Sequence, residues 1–484
     1  MLFAIFIALF RYQTSPLWSA GNNSDIWVYQ IMGNAWNHGV VPYKDLFDVK
    51  GPAWYMLFSL LAYITPWSNA APFIFLILIY TISFVITYKI SKLFLSPFIS
   101  YCISSLFCFL TFLADAYSIG FTTSFTVEEV SVPFILFSIY ITLEYFYFEK
   151  GISKICFLLF GVCFAFTLWS KYQLIAPTLG IYFGLFILCI CKKTKWMRFW
   201  KSVLHFVIGF VSFTAFIFLV LLLSGNFFEM FKCYFLGQSS DLSIFDFPPN
   251  IYDGLKRLYE IGFFNFNNPY GILFILFLIM LLFKRPFCGF RITIISFFLF
   301  IFLAESLNMH DYNRIILFIP VLFALIGLMV QIKNVNSFNF PYKIIIKTVV
   351  CAICISFSVV YYFQMYNLNM AWWGRIPLYK HEPMKPLANF DIPQYKSTEE
   401  LGKVFEDYIQ KHSNGDTSLF ANDTGSSLSA FFYNRQIPGN YYFFNANYKP
   451  FENLWHFRDK IYKSRQYKWV ILSTEIDYSN QILS

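Results

Sequence analysis

Long apolar runs without charge constrain this chain more than any other feature of its sequence. Residues 73–88 and 203–224 contain no Asp, Glu, Lys or Arg. The hydrocarbon core of a bilayer is about 30 Å thick, and a helix of about 20 apolar residues crosses it. A helix also satisfies its own backbone hydrogen bonds inside the lipid. The repeated runs therefore predict a polytopic all-α membrane protein.

The overall composition excludes the other broad classes of protein. Of the 484 residues, 58% are hydrophobic and 13% are charged, whereas soluble domains have about 25% charged residues. This excludes a soluble globule, a disordered chain and a disulfide scaffold. The net charge of +9 does not predict a nucleic-acid partner, because the cations lie in short loops between apolar runs and no basic face persists.

The apolar runs predict about eleven membrane-spanning helices. They lie at roughly 1–18, 71–88, 97–117, 129–148, 154–170, 173–191, 203–224, 270–284, 290–305, 315–331 and 345–362. The stretch 53–66 is apolar but short and rich in Trp and Tyr, which is typical of a surface or re-entrant helix.

Charge in the loops sets the orientation of these spans. If 53–66 stays at the surface, alternate loops carry most of the Lys and Arg, in the segments 89–92, 150–154, 192–201, 284–291 and 333–347. Basic loops remain in the cytoplasm. We therefore expect a multi-pass plasma-membrane protein with its N-terminus inside and its C-terminus outside.

A polar segment follows the last predicted span. Residues 363–484 contain strand-like stretches at 418–421 and 467–472 and helix-like stretches at 398–412 and 450–464, separated by turn-forming sequences. The sequence predicts a transmembrane domain over 1–362, with a first outer loop at 19–70, and a small extracytoplasmic α/β domain over 363–484.

Charged residues at the outer ends of the predicted spans are the candidate functional residues, because charge beside an apolar helix is costly and marks function by default. They are Asp25, Asp45, Asp48, Lys50, Glu128, Glu129, Lys171, His310, Asp311 and Arg314. A carboxylate can take the proton of an acceptor hydroxyl, and cations can stabilise a departing phosphate. This set suits group transfer at the membrane surface.

The first outer loop carries a more specific pattern. After Asp25 the chain reads Gly39-x-x-Pro-Tyr43-x-Asp45-x-x-Asp48-x-Lys50-Gly-Pro. This resembles the first extracytoplasmic loop of GT-C membrane glycosyltransferases, closest to bacterial relatives of protein O-mannosyltransferases and of the lipid A aminoarabinose transferase. Acidic residues in the next outer loop and an outer C-terminal domain are similar too.

The resemblance implies a GT-C-like fold and an inverting glycosyltransferase of the bacterial plasma membrane. Its donor would be a polyprenyl-phosphate-linked sugar, and its acceptor a cell-envelope glycan, lipid or protein. Asp25 occupies the position of the family's catalytic carboxylate, and Tyr43 lies in the motif with the predicted substrate-binding residues. The sequence predicts no metal-ligand set; a divalent cation is left open.

Each candidate residue also has a structural interpretation. Asp25 can begin a surface helix, and Asp45, Asp48 and Lys50 can form a local ion-paired turn. Glu128 and Glu129 open a helix, where negative charge suits the helix dipole.

The remaining candidates are cations. Lys171 either extends to the outer surface along its apolar stem or binds a lipid phosphate. His310 and Arg314 lie four residues apart, on one face if the segment is helical. Either could contact phosphate or sugar.

Other functions compete with the transferase. A polysaccharide polymerase or ligase also has many spans and polar outer loops. A transporter or flippase of lipid-linked glycans places polar groups in mid-membrane and often has internal repeats, and neither feature is visible here. A non-catalytic accessory scaffold is the last alternative.

Overall fold

The computed structural model describes part of the chain. The described residues are 1–11, 24–37, 39, 41–44, 50–65, 70–114, 125–191, 195–237, 290–307, 319–334, 411, 419–422, 441–443 and 469–472.

Helices dominate the described residues. In chain order they are α1 Leu2–Arg11, α2 Ser24–Asn37, α3 Pro52–Ile64, α4 Ala70–Lys92, α5 Pro97–Phe109, α6 Val127–Thr142, α7 Lys154–Ser170, α8 Ala176–Cys191, α9 Trp196–Ser224, α10 Phe227–Phe231, α11 Arg291–Leu307 and α12 Ile319–Asn334. Turns of π-helix extend three of them, α5 over Leu110–Ala114, α6 over Leu143–Tyr147 and α10 over Lys232–Gly237, and a 3-10 turn, Tyr172–Ile175, precedes α8.

Four of these helical segments are long and apolar enough to cross a membrane. They are Ala70–Lys92, Val127–Tyr147, Tyr172–Cys191 and Trp196–Ser224. Three of them cover a predicted span completely, and Val127–Tyr147 covers the predicted span 129–148 except for its last residue. α7 begins and ends where predicted, but its 17 residues make it a shorter apolar helix. The predicted spans at 270–284 and 345–362 lie outside the described residues. The total of about eleven spans therefore stays a prediction.

The stretch at 53–66 forms the short helix α3 rather than a long one. Its 13 residues extend about 20 Å at 1.5 Å per residue, less than the bilayer core. Trp54, Tyr55 and Phe58 are buried, whereas Tyr63 and Ile64 are exposed. A short helix with one buried face matches the expectation, and its position at the membrane surface stays a prediction.

The contacts divide the chain into two compact units. The first comprises Met1–Ser15, Phe73–Leu219 and Leu242–Gly374, and the second comprises Pro16–Pro72, Val220–Asp241 and Arg375–Ser484.

Close helix packing organises the first unit. A methyl group added to Gly161 of α7 would lie 2.0 Å from the Phe206 carbonyl oxygen of α9, and one added to Gly209 of α9 would meet the Leu158 carbonyl oxygen at the same distance. Gly184 of α8 packs closely on α11, and a methyl group added to it would lie 2.5 Å from the Thr293 Cα. Small residues let membrane helices approach this closely.

The amount of burial differs among the spanning helices. In the most apolar window of the α6 segment 67% of residues are buried, against 17% in that of α9. Aromatic rings of α7, α8 and α9 pack together beside α6, with Phe160 and Tyr182 stacked 5.5 Å apart and Phe206 against both. α6 is therefore a central helix of the unit, and α9 turns most of its apolar surface outward.

Within the second unit the C-terminal segment contributes three short strands. They are β1 Leu419–Asn422, β2 Tyr441–Phe443 and β3 Trp469–Leu472, all parallel in the order β2-β1-β3. Phe420 lies opposite Tyr442 on one side and Val470 on the other. β1 and β3 coincide with predicted strand-like stretches, and β2 was not predicted. The α/β domain around them stays a prediction.

Candidate functional site

A buried group of charged residues lies at the start of α6. Thr126 precedes the helix, and its hydroxyl oxygen accepts a hydrogen bond from the Glu129 backbone N–H at 3.2 Å. The carboxylate of Glu129 lies beside the residues that precede the helix, where its Oε2 accepts a hydrogen bond from the Phe125 N–H at 2.6 Å. This is close to a capping box, in which Thr and Glu three residues apart satisfy the free N–H groups of a helix start.

Glu129 has a second donor from a neighbouring helix. The Tyr80 hydroxyl in α4 donates to Glu129 Oε1 at 2.5 Å, and both side chains are fully buried. Both carboxylate oxygens of Glu129 are therefore engaged by the protein itself. This supports the interpretation of Glu129 as a residue that fixes the helix start.

Glu128 turns to a different partner. Its Oε1 lies 2.5 Å from Lys171 Nζ, and both side chains are 2–3% exposed. Lys171 stands between α7 and the 3-10 turn, where its backbone is extended and its N–H donates to the Thr167 carbonyl. The break in the helix turns the side chain inward, so Lys171 does not extend to the surface along its stem.

The turn that carries Lys171 is held on its other side by α9. Trp169 Nε1 donates to Thr214 Oγ1 at 3.0 Å, and its ring packs on Phe218 with a centroid distance of 5.1 Å. The Ser170 hydroxyl beside Lys171 is buried and has no hydrogen-bond partner in the part of the chain that the structure describes. The turn is thus fixed by packing while a polar group remains next to the ion pair.

A second group of candidate residues lies in the second unit. Tyr43 has a positive φ of 67°, an uncommon backbone conformation for a bulky side chain. Its hydroxyl donates to the Lys50 carbonyl oxygen at 2.7 Å, and the Lys50 N–H donates to the Tyr55 hydroxyl at 3.2 Å. These bonds close the segment between residues 43 and 50.

The same segment is attached to the residues after α9. Asn226 Nδ2 donates to the Pro42 carbonyl oxygen at 2.9 Å, and its side chain is buried. Tyr43 therefore has a structural role in shaping the loop. Its further role in substrate binding stays a prediction.

α2 and α3 form a helix pair beside this segment. Gly33 of α2 lies so close to α3 that an added methyl would be 2.4 Å from the Phe58 carbonyl carbon. Asn37 and Ser59 exchange hydrogen bonds, with 2.5 Å between Ser59 Oγ and Asn37 Oδ1. The pair therefore fixes the backbone on which Asp25 is carried.

Asp25 is the second residue of α2, which begins at Ser24. Its backbone position agrees with the interpretation that a helix begins at Ser24 or Asp25, and the position of that helix at a surface stays a prediction. The side chain of Asp25 lies outside what the structure describes. Its catalytic role stays a prediction.

Five other predicted site residues lie outside the described residues altogether. They are Asp45, Asp48, His310, Asp311 and Arg314. The structure thus brings together Glu128 with Lys171, and Tyr43 with Lys50.

Three residues with structural roles at these places were not among the predicted ones. The Thr126-x-x-Glu129 spacing was a readable capping signal. Tyr80 stands in the uncharged run 73–88, where a buried hydroxyl needs a partner, but no sequence pattern names Glu129 as that partner. Asn226 gives no local signal, because its acceptor Pro42 is 184 residues away.

Neither a metal site nor a known relative defines this chain further. Among the residues that the structure describes, no three His, Cys, Asp or Glu side chains come together as metal ligands. No protein-family model matches the chain, and no curated protein sequence matches it.

Proposed function

We propose that this protein is an inverting glycosyltransferase of the bacterial plasma membrane. It would transfer a sugar from a polyprenyl-phosphate donor to a glycan, lipid or protein acceptor on the outer face. The observation that carries the proposal is the first-loop pattern from Asp25 to Lys50-Gly51-Pro52, which resembles that of GT-C enzymes. Two features support it: Asp25 stands in the first turn of α2, and Pro52 begins the short helix α3.

The proposed reaction uses one carboxylate and several cations. Asp25 takes the proton of the acceptor hydroxyl, whose oxygen then attacks the anomeric carbon of the donor sugar. The bond from that carbon to the phosphate oxygen breaks, and polyprenyl phosphate leaves with the bonding electrons. Lys50, from the same first loop as Asp25, stabilises the phosphate as its negative charge grows, and phosphate contacts of Lys171 and Arg314 stay predictions.

The ion pair refines the role proposed for Lys171. A buried lysine held 2.5 Å from a carboxylate oxygen has a fixed direction. We infer that Glu128 fixes the direction of Lys171; contact of Lys171 with the donor phosphate stays a prediction. Glu129 shapes the helix start, and its contact with substrate stays a prediction.

The experiment that tests the proposal compares Asp25→Asn with wild type at matched membrane levels. We expect a cell-envelope glycan to lose one sugar and its lipid-linked donor to accumulate, as measured by mass spectrometry of both pools. Glu149→Gln is the control, since Glu149 is an exposed carboxylate outside the first-loop pattern, and it should leave both pools unchanged.

The opposite result has a clear meaning. If Asp25→Asn matches wild type while deletion of the whole chain has a phenotype, then Asp25 only begins α2. Transport of lipid-linked glycans or a scaffolding role would then replace the transferase.

A further inference from the structure

The opposite end of α6 carries a different group of charged residues. Glu128 stands at the start of the 21-residue segment Val127–Tyr147, so Tyr147 lies about 30 Å away along the helix axis. The Tyr147 hydroxyl is 2.6 Å from Thr293 Oγ1 of α11, and its ring packs on Phe290 at 4.7 Å. The first residue of α11, Arg291, therefore lies at this end of the first unit.

Three other cations at this end have protein partners. Lys195 Nζ is 3.4 Å from Glu149 Oε1 and lies over the Tyr147 ring. Arg198 donates to the Tyr145 carbonyl oxygen at 3.1 Å, and Lys150 pairs with Glu144 at 3.2 Å. The two acidic residues, Glu144 and Glu149, are thus both engaged.

Arg291 differs from these cations. Its Nε and Nη2 atoms are buried, and neither has a hydrogen-bond acceptor within the described ranges of the chain. Nε–H and Nη2–H point from the same edge of the guanidinium group. That edge binds two oxygens of one carboxylate or phosphate through parallel hydrogen bonds.

The neighbouring sequence offers no carboxylate for this edge. The segments 192–194, 281–289 and 335–347, which adjoin α8, α11 and α12 along the chain, contain no Asp or Glu. They add further cations instead, among them Lys284, Arg285 and Lys343. Within the part of the chain that the structure describes this guanidinium edge has no acceptor, and such an edge attracts an anion that can accept two hydrogen bonds.

We propose that the Nε and Nη2 edge of Arg291 binds a phosphate group at this end of the first unit. The phosphate comes either from the headgroup of an anionic phospholipid or from solution. The charge distribution in the loops places this end in the cytoplasm, where anionic lipids attract basic segments. Arg291 as a residue is partly exposed, but its Nε and Nη2 atoms are buried, so binding requires the side chain to turn toward the ligand.

Binding to the purified full-length protein tests the proposal. In native mass spectrometry we expect the wild type to retain dioleoylphosphatidylglycerol at least ten times more tightly than dioleoylglycerol, which has the same acyl chains without phosphate. In a second arm, equilibrium dialysis measures binding of radioactive inorganic phosphate. Retention of the lipid alone identifies the headgroup as the source, and binding of inorganic phosphate identifies a free anion.

Two substitutions assign the binding to Arg291. Arg291→Gln should lower binding of the phosphate probe at least tenfold. Arg291→Lys keeps the positive charge and is therefore expected to keep the fold. It lacks the two parallel N–H donors of the guanidinium group, so it should bind the phosphate probe several-fold more weakly than wild type. Lys201→Gln removes an exposed cation from α9 and should bind as wild type does.

Either of two results would overturn the proposal. In one, Arg291→Gln, or Arg291→Lys if the first variant does not fold, binds both probes as tightly as wild type. In the other, the wild type does not distinguish phosphatidylglycerol from dioleoylglycerol and binds no inorganic phosphate. Neither result bears on the proposed transferase, whose test depends on Asp25.

Discussion

Lys171 Nζ and Glu128 Oε1 lie 2.5 Å apart, and both side chains are buried. A short ion pair in an apolar interior is strong only while both partners are present, because each charge has lost its hydration. Lys171 comes from the turn after α7 and Glu128 from the first turn of α6. The pair thus ties two helices of the first unit together at one end.

Removal of Glu128 should destabilise the protein strongly. Glu128→Gln leaves Lys171 without its buried counter-charge, at a cost of roughly 3–5 kcal/mol. We expect a lower thermal midpoint in detergent, measured by size-exclusion chromatography after heating. The double variant Glu128→Leu/Lys171→Met removes both charges and should recover most of the loss.

A matched control separates burial from charge. Glu144→Gln breaks the exposed pair with Lys150 and should cost about 1 kcal/mol or less. Equal losses for Glu128→Gln and Glu144→Gln would contradict the interpretation that burial makes the first pair important.

The Tyr80 hydroxyl is expected to stabilise the start of α6. Tyr80→Phe removes the donor to Glu129 Oε1 and keeps the ring, so the expected loss is about 1.5–3 kcal/mol for a bond to a charged group. Thermal unfolding in detergent measures it. Tyr88→Phe in the same helix, where no hydroxyl bond is described, should change the midpoint little; an equal effect would refute this role of Tyr80.

Glycine is required where α7 meets α9. Gly161→Ala places a methyl group 2.0 Å from the Phe206 carbonyl oxygen, and neither backbone can yield without moving the two helices apart. We expect a loss of about 3 kcal/mol, at the upper end of the range for overpacking. Gly151→Ala meets nothing within 4 Å and should unfold as wild type does, so similar midpoints for the two variants would exclude this tight contact.

The Tyr43 hydroxyl is expected to close the segment between residues 43 and 50. Tyr43→Phe removes its bond to the Lys50 carbonyl oxygen, which is worth about 0.5–1.5 kcal/mol. The fraction of molecules in which this segment is open should therefore increase several-fold. The rate of tryptic cleavage after Lys44 and Lys50 should increase by the same factor. Tyr63→Phe alters an exposed ring and serves as the control; an unchanged cleavage rate in Tyr43→Phe would contradict the closure.

The predicted orientation of the chain can be measured in intact cells. Lys44 and Gly151 are both exposed, and the loop charges predict that they lie on opposite sides of the membrane. A membrane-impermeant maleimide should label Lys44→Cys in intact cells and Gly151→Cys only after lysis, above the background of the native cysteines. The reverse result would invert the topology and move the proposed site to the cytoplasm.

The sequence by itself determined the class of this protein and the places of its long helices. In lipid, the backbone N–H and C=O groups of an uncharged run such as 203–224 must form hydrogen bonds within the protein, and a helix forms them within the run itself. The Thr126-x-x-Glu129 spacing also indicates where α6 starts, because a capping box uses two residues that are three positions apart. The short length of α3 followed from the number of apolar residues available.

Only the tertiary structure decided which charges meet. Glu128 and Lys171 are 43 residues apart, and Tyr80 and Glu129 are 49 apart; no local periodicity links either pair. From the sequence, Glu128 and Glu129 were equivalent neighbours, and Lys171 had two alternative directions. The difference arises because adjacent positions on a helix point about 100° apart, so that one carboxylate faces Lys171 and the other faces α4.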